Sequence, residues 1–92
     1  MNVTIEGMYL NGYAKPEYKD KNTGEMFLGD FVVQIQQRKE LSNGAMQMEY
    51  YDIPVDRSLE KQFADKNVGD IVNVPCNVYG ENFAQIKISK AK

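Results

Sequence analysis

The chain has 92 residues, 42% of them hydrophobic, with a net charge of −2, one cysteine and no histidine. This length makes one domain that buries only about 60–65% of its unfolded surface, so the core is small and a partner copy would help it. The composition excludes a membrane helix, since no run of about 18 apolar residues exists, an internal disulfide, and any site built on imidazole.

The single Cys76 fits a reducing compartment, and the opening Met1 to Glu6 lacks a basic stretch followed by an apolar one. Both features point to the cytoplasm. Charge is uneven along the chain. Residues 1–39 carry five basic and five acidic side chains, residues 40–81 three basic and eight acidic, and residues 82–92 three lysines. Acid is concentrated in the middle, so a face made from the two ends can still be positive.

Residues 2–14 read as a first strand. Val3 and Ile5 alternate with Asn2, Thr4 and Glu6, then Gly7 interrupts and the apolar phase shifts to Met8 and Leu10. A glycine at a phase change predicts a bulge or sharp bend, which lets one strand pair with two partners. Residues 15–26 form a polar loop with Lys15, Tyr18, Lys19 and Lys21, broken by Pro16 and by Asn22-Thr23-Gly24. Nothing near Tyr18 in sequence would bury it.

Residues 27–38 read as a second strand, with Phe27, Phe31, Val33 and Ile35 on the apolar phase and Gln34, Gln36 and Arg38 on the other. Residues 39–45 contain Ser42-Asn43-Gly44, a strong hairpin signal. The third strand spans 45–55. Its Tyr51-Ile53-Val55 phase reads as core, which leaves Met46, Met48 and Tyr50 outside.

Residues 56–67 change to helical spacing, with Leu59 and Phe63 at i, i+4, Asp56 as the N-cap and Lys66 near the end; Val68 is expected to pack behind it. After a Gly69-Asp70 turn, residues 71–79 give a fourth strand with Val72, Val74, Cys76 and Val78 on one face. Pro75 on the other phase suggests an edge or bulge. A tight hairpin at 80–82 leads to a fifth strand, 83–90, with Ala84, Ile86 and Ile88 against Phe83, Gln85, Lys87 and Ser89.

This order predicts an all-β domain over 1–92: a five-stranded OB-fold Greek-key barrel with one short helix between strands 3 and 4. An SH3-like barrel, which usually lacks the helix, and an open meander are the alternatives.

Chemistry follows from what is present. Without histidine, with one cysteine on an apolar phase and with no phosphate-loop or dinucleotide glycine spacing, the chain points away from an enzyme. No cofactor, metal or small-molecule substrate is expected. OB barrels bind along strands 2 and 3 and adjoining loops, and single-strand binders combine cations with aromatic platforms. Here that surface offers Lys15, Tyr18, Lys19, Lys21, Gln34, Gln36, Arg38 and Tyr50, with Tyr79 or Phe83 from the 80–82 hairpin and Lys87 reaching over from strand 5. By phase alone Phe27 and Phe31 belong to the core, Tyr9 and Tyr13 fit either side, and Lys90 and Lys92 are solvated ends.

The opening strand Asn2 to Ile5, the Lys19-x-Lys21-x-Thr23-Gly24-x-x-Phe27 loop-into-strand and the close on Lys90-Ala91-Lys92 carry a resemblance. The chain is similar to the small single-stranded-DNA-binding (helix-destabilising) proteins of filamentous phages and related mobile elements. The resemblance implies an OB-type barrel, a twofold homodimer and sequence-tolerant coating of single-stranded DNA during phage or plasmid replication. It also implies that Lys19 and Lys21, with Phe27 or Tyr18, contact DNA. Two other functions suit the residues: a protein-interaction barrel docking through Met46, Met48 and Tyr50, and an RNA-binding OB-fold.

Overall fold

Alternating apolar residues give long strands here, and the strands share one curled sheet. The computed structural model describes residues 1–80 and 87–91, with backbone alone at Lys87. In chain order these are β1 (Asn2–Ala14), β2 (Tyr18–Lys19), β3 (Met26–Phe27), β4 (Phe31–Glu40), β5 (Met46–Val55), a 3-10 turn (Arg57–Leu59), α1 (Glu60–Ala64), β6 (Ile71–Tyr79) and β7 (Lys87–Lys90). Five antiparallel strands form a sheet in the order β5-β4-β1-β6-β7, while β2 and β3 pair as a separate ribbon. The sheet curls into a half-barrel, bringing its edge strands β5 and β7 near each other.

β1 is central because it changes partners. Residues Asn2 to Met8 pair with β6, and Met8 to Ala14 pair with β4. The irregularity lies between Tyr9 and Asn11, not at Gly7 as the phase change suggests. Gly7 has a different task. A Cβ there would stand 2.9 Å from Ile35 Cδ1 and 3.0 Å from the Gln36 carbonyl oxygen, so it lets β1 cross β4 closely. The extra residue at Leu10 puts Tyr9 in the core and leaves Met8 and Leu10 half-buried.

The core joins Tyr9, Phe31, Val33, Ile35, Ile53, Val55, Val72, Val74 and Cys76 of the sheet to Phe63 of α1. Each fully buried aliphatic contributes about 1.5–3 kcal/mol. The β4–β5 register, with Val33 opposite Ile53 and Ile35 opposite Tyr51, makes the Tyr51-Ile53-Val55 phase the inner one and leaves Met46, Met48 and Tyr50 exposed. Burial pushes the Cys76 thiol pKa up, as expected for a core filler.

Several expected boundaries move. The second long strand starts at Phe31, so Phe27 is not its first residue; Met26 and Phe27 pair instead with Lys19 and Tyr18. The helix is one 3-10 turn plus five residues rather than a run over 56–67, although Asp56 does cap it, accepting from the Ser58 amide at 3.0 Å. Phe63 is its buried anchor, and Val68 is exposed rather than packed behind it. β6 is an interior strand. Pro75 is tolerated because the β6–β7 ladder stops at Cys76 opposite Lys90, one residue before it. The expected strand residues 83–86 and the 81–82 turn lie outside the described residues.

The chain measures 55 × 35 × 18 Å, and its radius of gyration, 15.3 Å, exceeds the roughly 12 Å of a compact chain this long. One reason is visible in the pairing. β4 beyond Gln36 has left β1 and pairs with β5 alone, so the Gln37–Glu49 hairpin projects. Residues 15–30 leave the main sheet to form the separate β2–β3 ribbon, and nearly all of them are exposed.

Candidate nucleic-acid interface

Two surfaces carry the predicted contact residues. The first is the arm, residues 15–30. Tyr18 pairs with Phe27 and Lys19 with Met26. The turn is closed by local bonds: the Asp20 amide donates to the Glu25 carbonyl (2.8 Å) and the Gly24 amide to the Asp20 carbonyl (2.9 Å). The Asp20 carboxylate accepts from the Asn22 amide at 2.7 Å, and Thr23 Oγ1 accepts from the Glu25 amide at 3.3 Å. These are the side-chain-to-backbone bonds by which Asp and Thr favour turns.

Directly opposite each other on the ribbon, the Tyr18 and Phe27 rings lie 5.7 Å apart at 31°. Both remain open to solvent, Tyr18 at 57% and Phe27 at 40%. Phe27 is thus a surface residue, contrary to its strand phase. The cause is Gly29. Its backbone packs so closely on the arm's start that a Cβ would lie 2.6 Å from both the Lys15 and Pro16 carbonyl oxygens. This contact interrupts the strand between Phe27 and Phe31, sending the first ring out and the second into the core.

Lys15, Lys19 and Lys21 are exposed on the arm. Lys19 belongs with Met26 to the ribbon face opposite the rings, because alternate residues point to opposite sides. The arm also carries Glu17, Asp20, Glu25 and Asp30. Asp20 is engaged by its turn, and Asp30 forms an ion pair with Lys90 at 3.0 Å. Among the described residues none of Lys15, Lys19, Lys21 or Arg38 forms an ion pair. All four side chains are exposed.

The second surface is the convex face of β1, β4 and β5. Register places Asn11 beside Gln34 and Gln34 beside Asp52, and their side chains form a ladder. Asn11 Nδ2 donates to Gln34 Oε1 (3.0 Å), and Gln34 Nε2 donates to Asp52 Oδ1 (3.1 Å). One rung on, Gln36 Nε2 donates to the Tyr50 hydroxyl at 3.3 Å. Arg38 faces Met48 beyond them. Gln34, Gln36, Arg38 and Tyr50 thus share one face, as their phase predicts. That face is not strongly cationic, since Asp52 and Glu40 share it with Arg38. Where β1 parts from β4, a concavity of about 490 Å³ opens, lined by Glu6, Met8, Gln37, Arg38, Lys39, Glu49 and Ile71 among others. Gln37 Nε2 bridges its floor to the Glu6 carbonyl at 2.7 Å.

Lys87 lies on β7, but its side chain is outside the described residues, as is Phe83. Tyr13 and Tyr79 are exposed, whereas Tyr9 is core. Sequence reasoning does not reach Asn11 and Asp52, and it gives Lys90 no partner, whereas the structure pairs it with Asp30. A signal was present: Lys90 continues the inward phase of Ile88, and a lysine on that phase at the end of a strand calls for a carboxylate. Among the described residues no group of three or more His, Cys, Asp or Glu side chains is arranged to hold a metal, and no helix is long and apolar enough to cross a membrane. No protein-family model, curated protein or solved structure matches this chain.

Proposed function

We propose that this protein binds single-stranded DNA without strong sequence preference, through the arm and the adjoining convex face of an OB-type barrel. One observation carries the proposal: the exposed Tyr18–Phe27 pair on an arm whose lysines are exposed and have no ion-pair partner among the described residues. Exposed rings stack on bases regardless of sequence, each stack giving about 1–3 kcal/mol, while nearby lysines meet phosphates. The convex face adds the amides of Gln34 and Gln36, which share one side of the β4–β5 ladder with Arg38.

The strand order, with β1 central and a helical turn between the third and fourth long strands, supports the OB reading. The projecting hairpin, with Met46, Met48 and Tyr50 exposed, supports a homodimer.

The test is fluorescence anisotropy of a labelled oligo-dT of about 20 nucleotides at low and moderate salt, with duplex DNA and oligo-U as competitors. The expected result is salt-sensitive binding that duplex does not displace. Displacement by oligo-U at lower concentration than by unlabelled dT would turn the reading to RNA. Absence of binding at low salt would leave the exposed rings and methionines as a protein-docking surface.

A further inference from the structure

We propose that Asp30 and Lys90, assisted by Arg57, are positioning residues that clamp the root of the arm to the rim of the sheet and so set its binding geometry. The inference rests on the nucleic-acid reading of the arm. The root is already narrow: the Lys15 amide donates to the Asp30 carbonyl at 2.9 Å, and Gly29 presses on the Lys15 and Pro16 carbonyls. Segments remote in sequence converge on it. Lys90 Nζ, from the end of β7, reaches Asp30 Oδ1 at 3.0 Å and lies 4.0 Å from Asp56 Oδ2. Arg57 Nη1, from the 3-10 turn, donates to the Gly29 carbonyl at 3.2 Å, while its Nε pairs with Glu60 at 3.0 Å.

Little else among the described residues steadies the arm. Every residue from Lys15 to Leu28 except Asp20 is exposed. A partly exposed ion pair adds little to global stability. Its effect is greatest on an element with few other contacts, and the arm is such an element. Asp30 holds the Lys90 ammonium in its charged form, by hydrogen bond and by charge, and outweighs the opposing effect of burial.

The clamp can be told from simple electrostatics by the sign of one effect. Asp30 is an anion beside a surface that takes a polyanion, so charge alone makes Asp30→Ala bind oligo-dT more tightly. Positioning makes it bind more weakly. We expect Asp30→Ala and Lys90→Ala each to raise the oligo-dT Kd roughly tenfold, the equivalent of about 1.4 kcal/mol. Lys90→Arg keeps near-native affinity. The salt slope of Asp30→Ala stays at the wild-type value, because no phosphate contact is lost. Affinity equal to or above wild type in Asp30→Ala would overturn the clamp.

A second readout needs no nucleic acid. Backbone amide order parameters from Tyr18 to Glu25 fall in Asp30→Ala while those of β4 hold; unchanged order parameters in the arm would also overturn it. If the wild-type protein fails to bind oligo-dT, the function proposed for the arm falls, and the order parameters alone decide whether the clamp exists. A variant that fails to hold β4 order contradicts the restricted role assigned to Asp30.

Discussion

The curled sheet and the arm are both β structure, but different forces hold them. In the sheet every strand contributes an apolar phase that meets others: Ile35 faces Tyr51, Val33 faces Ile53, and Ile5 faces Val74. In the arm the strands are two residues long, the turn is closed by its own Asp20 and Thr23, and Tyr18 lies against Phe27 with both rings exposed to solvent. A two-stranded ribbon of this kind is marginal alone. Removing a buried side chain therefore damages the whole domain. Removing an arm side chain changes only what the arm presents, and that separation lets a small protein carry an exposed binding element without endangering its core.

The largest expected effect lies in the sheet. Ile53 is fully buried, so Ile53→Ala should cost about 2–5 kcal/mol in urea unfolding. Tyr18→Ala should change stability by no more than about 0.5 kcal/mol. Comparable losses in the two variants would break the distinction between the regions. Next comes binding. Tyr18→Ala should weaken oligo-dT by about 1–3 kcal/mol, read by anisotropy, with the urea midpoint unmoved.

Replacing both Lys19 and Lys21 with glutamate sharpens the comparison within the arm. Affinity should fall and the slope of log K against log salt should become shallower by about 1.4, or 0.7 for each phosphate contact. Met48→Asp, on the projecting hairpin, should leave that slope unchanged while weakening self-association in sedimentation.

The smallest effect concerns pH, and it belongs to the sheet and its rim. The pKa values of Tyr9 and Cys76 are raised by burial, that of Tyr51 by its bond to Glu49, and that of Lys90 by Asp30. The folded state holds these protons more tightly than the unfolded chain does. Their contribution is complete below the ordinary cysteine value of 9.0 and is lost as pH rises through the raised values. Urea midpoints should therefore decline progressively above about pH 9. On the acid side Asp56 acts in the opposite sense. The Ser58 amide lowers its pKa, so its contribution is present above the ordinary 3.8 and disappears as pH falls through the lowered value.

Much of the sheet was legible because burial writes a period of two into sequence. The inward phases Val33-Ile35, Ile53-Val55 and Val72-Val74-Cys76 and the Asp56 cap all follow from local pattern. The arm was legible only as an exposed loop with Tyr18 on it. Phe27 and Phe31 share a phase, and alternation cannot register that Gly29 docks on the Lys15 and Pro16 carbonyls between them. That contact exists only after the arm folds back. The bulge at Leu10 was hidden for a related reason: Gly7 marks a close crossing with Ile35, and the register slip comes three residues later. Among the surface residues, strand phase put Gln34, Gln36, Arg38 and Tyr50 on one face. It did not show Lys19 on the ribbon face opposite Tyr18 and Phe27, since the short strands of the ribbon have no repeating pattern to read.

The most direct test is the anisotropy titration of labelled oligo-dT with the wild-type protein and Tyr18→Ala side by side at low salt. The prediction is tight, salt-sensitive binding by the wild type, at least about fivefold weaker binding by the variant, and identical urea midpoints. Equal affinity in the two proteins, or no binding by either, would contradict the assignment of the arm as the nucleic-acid grip.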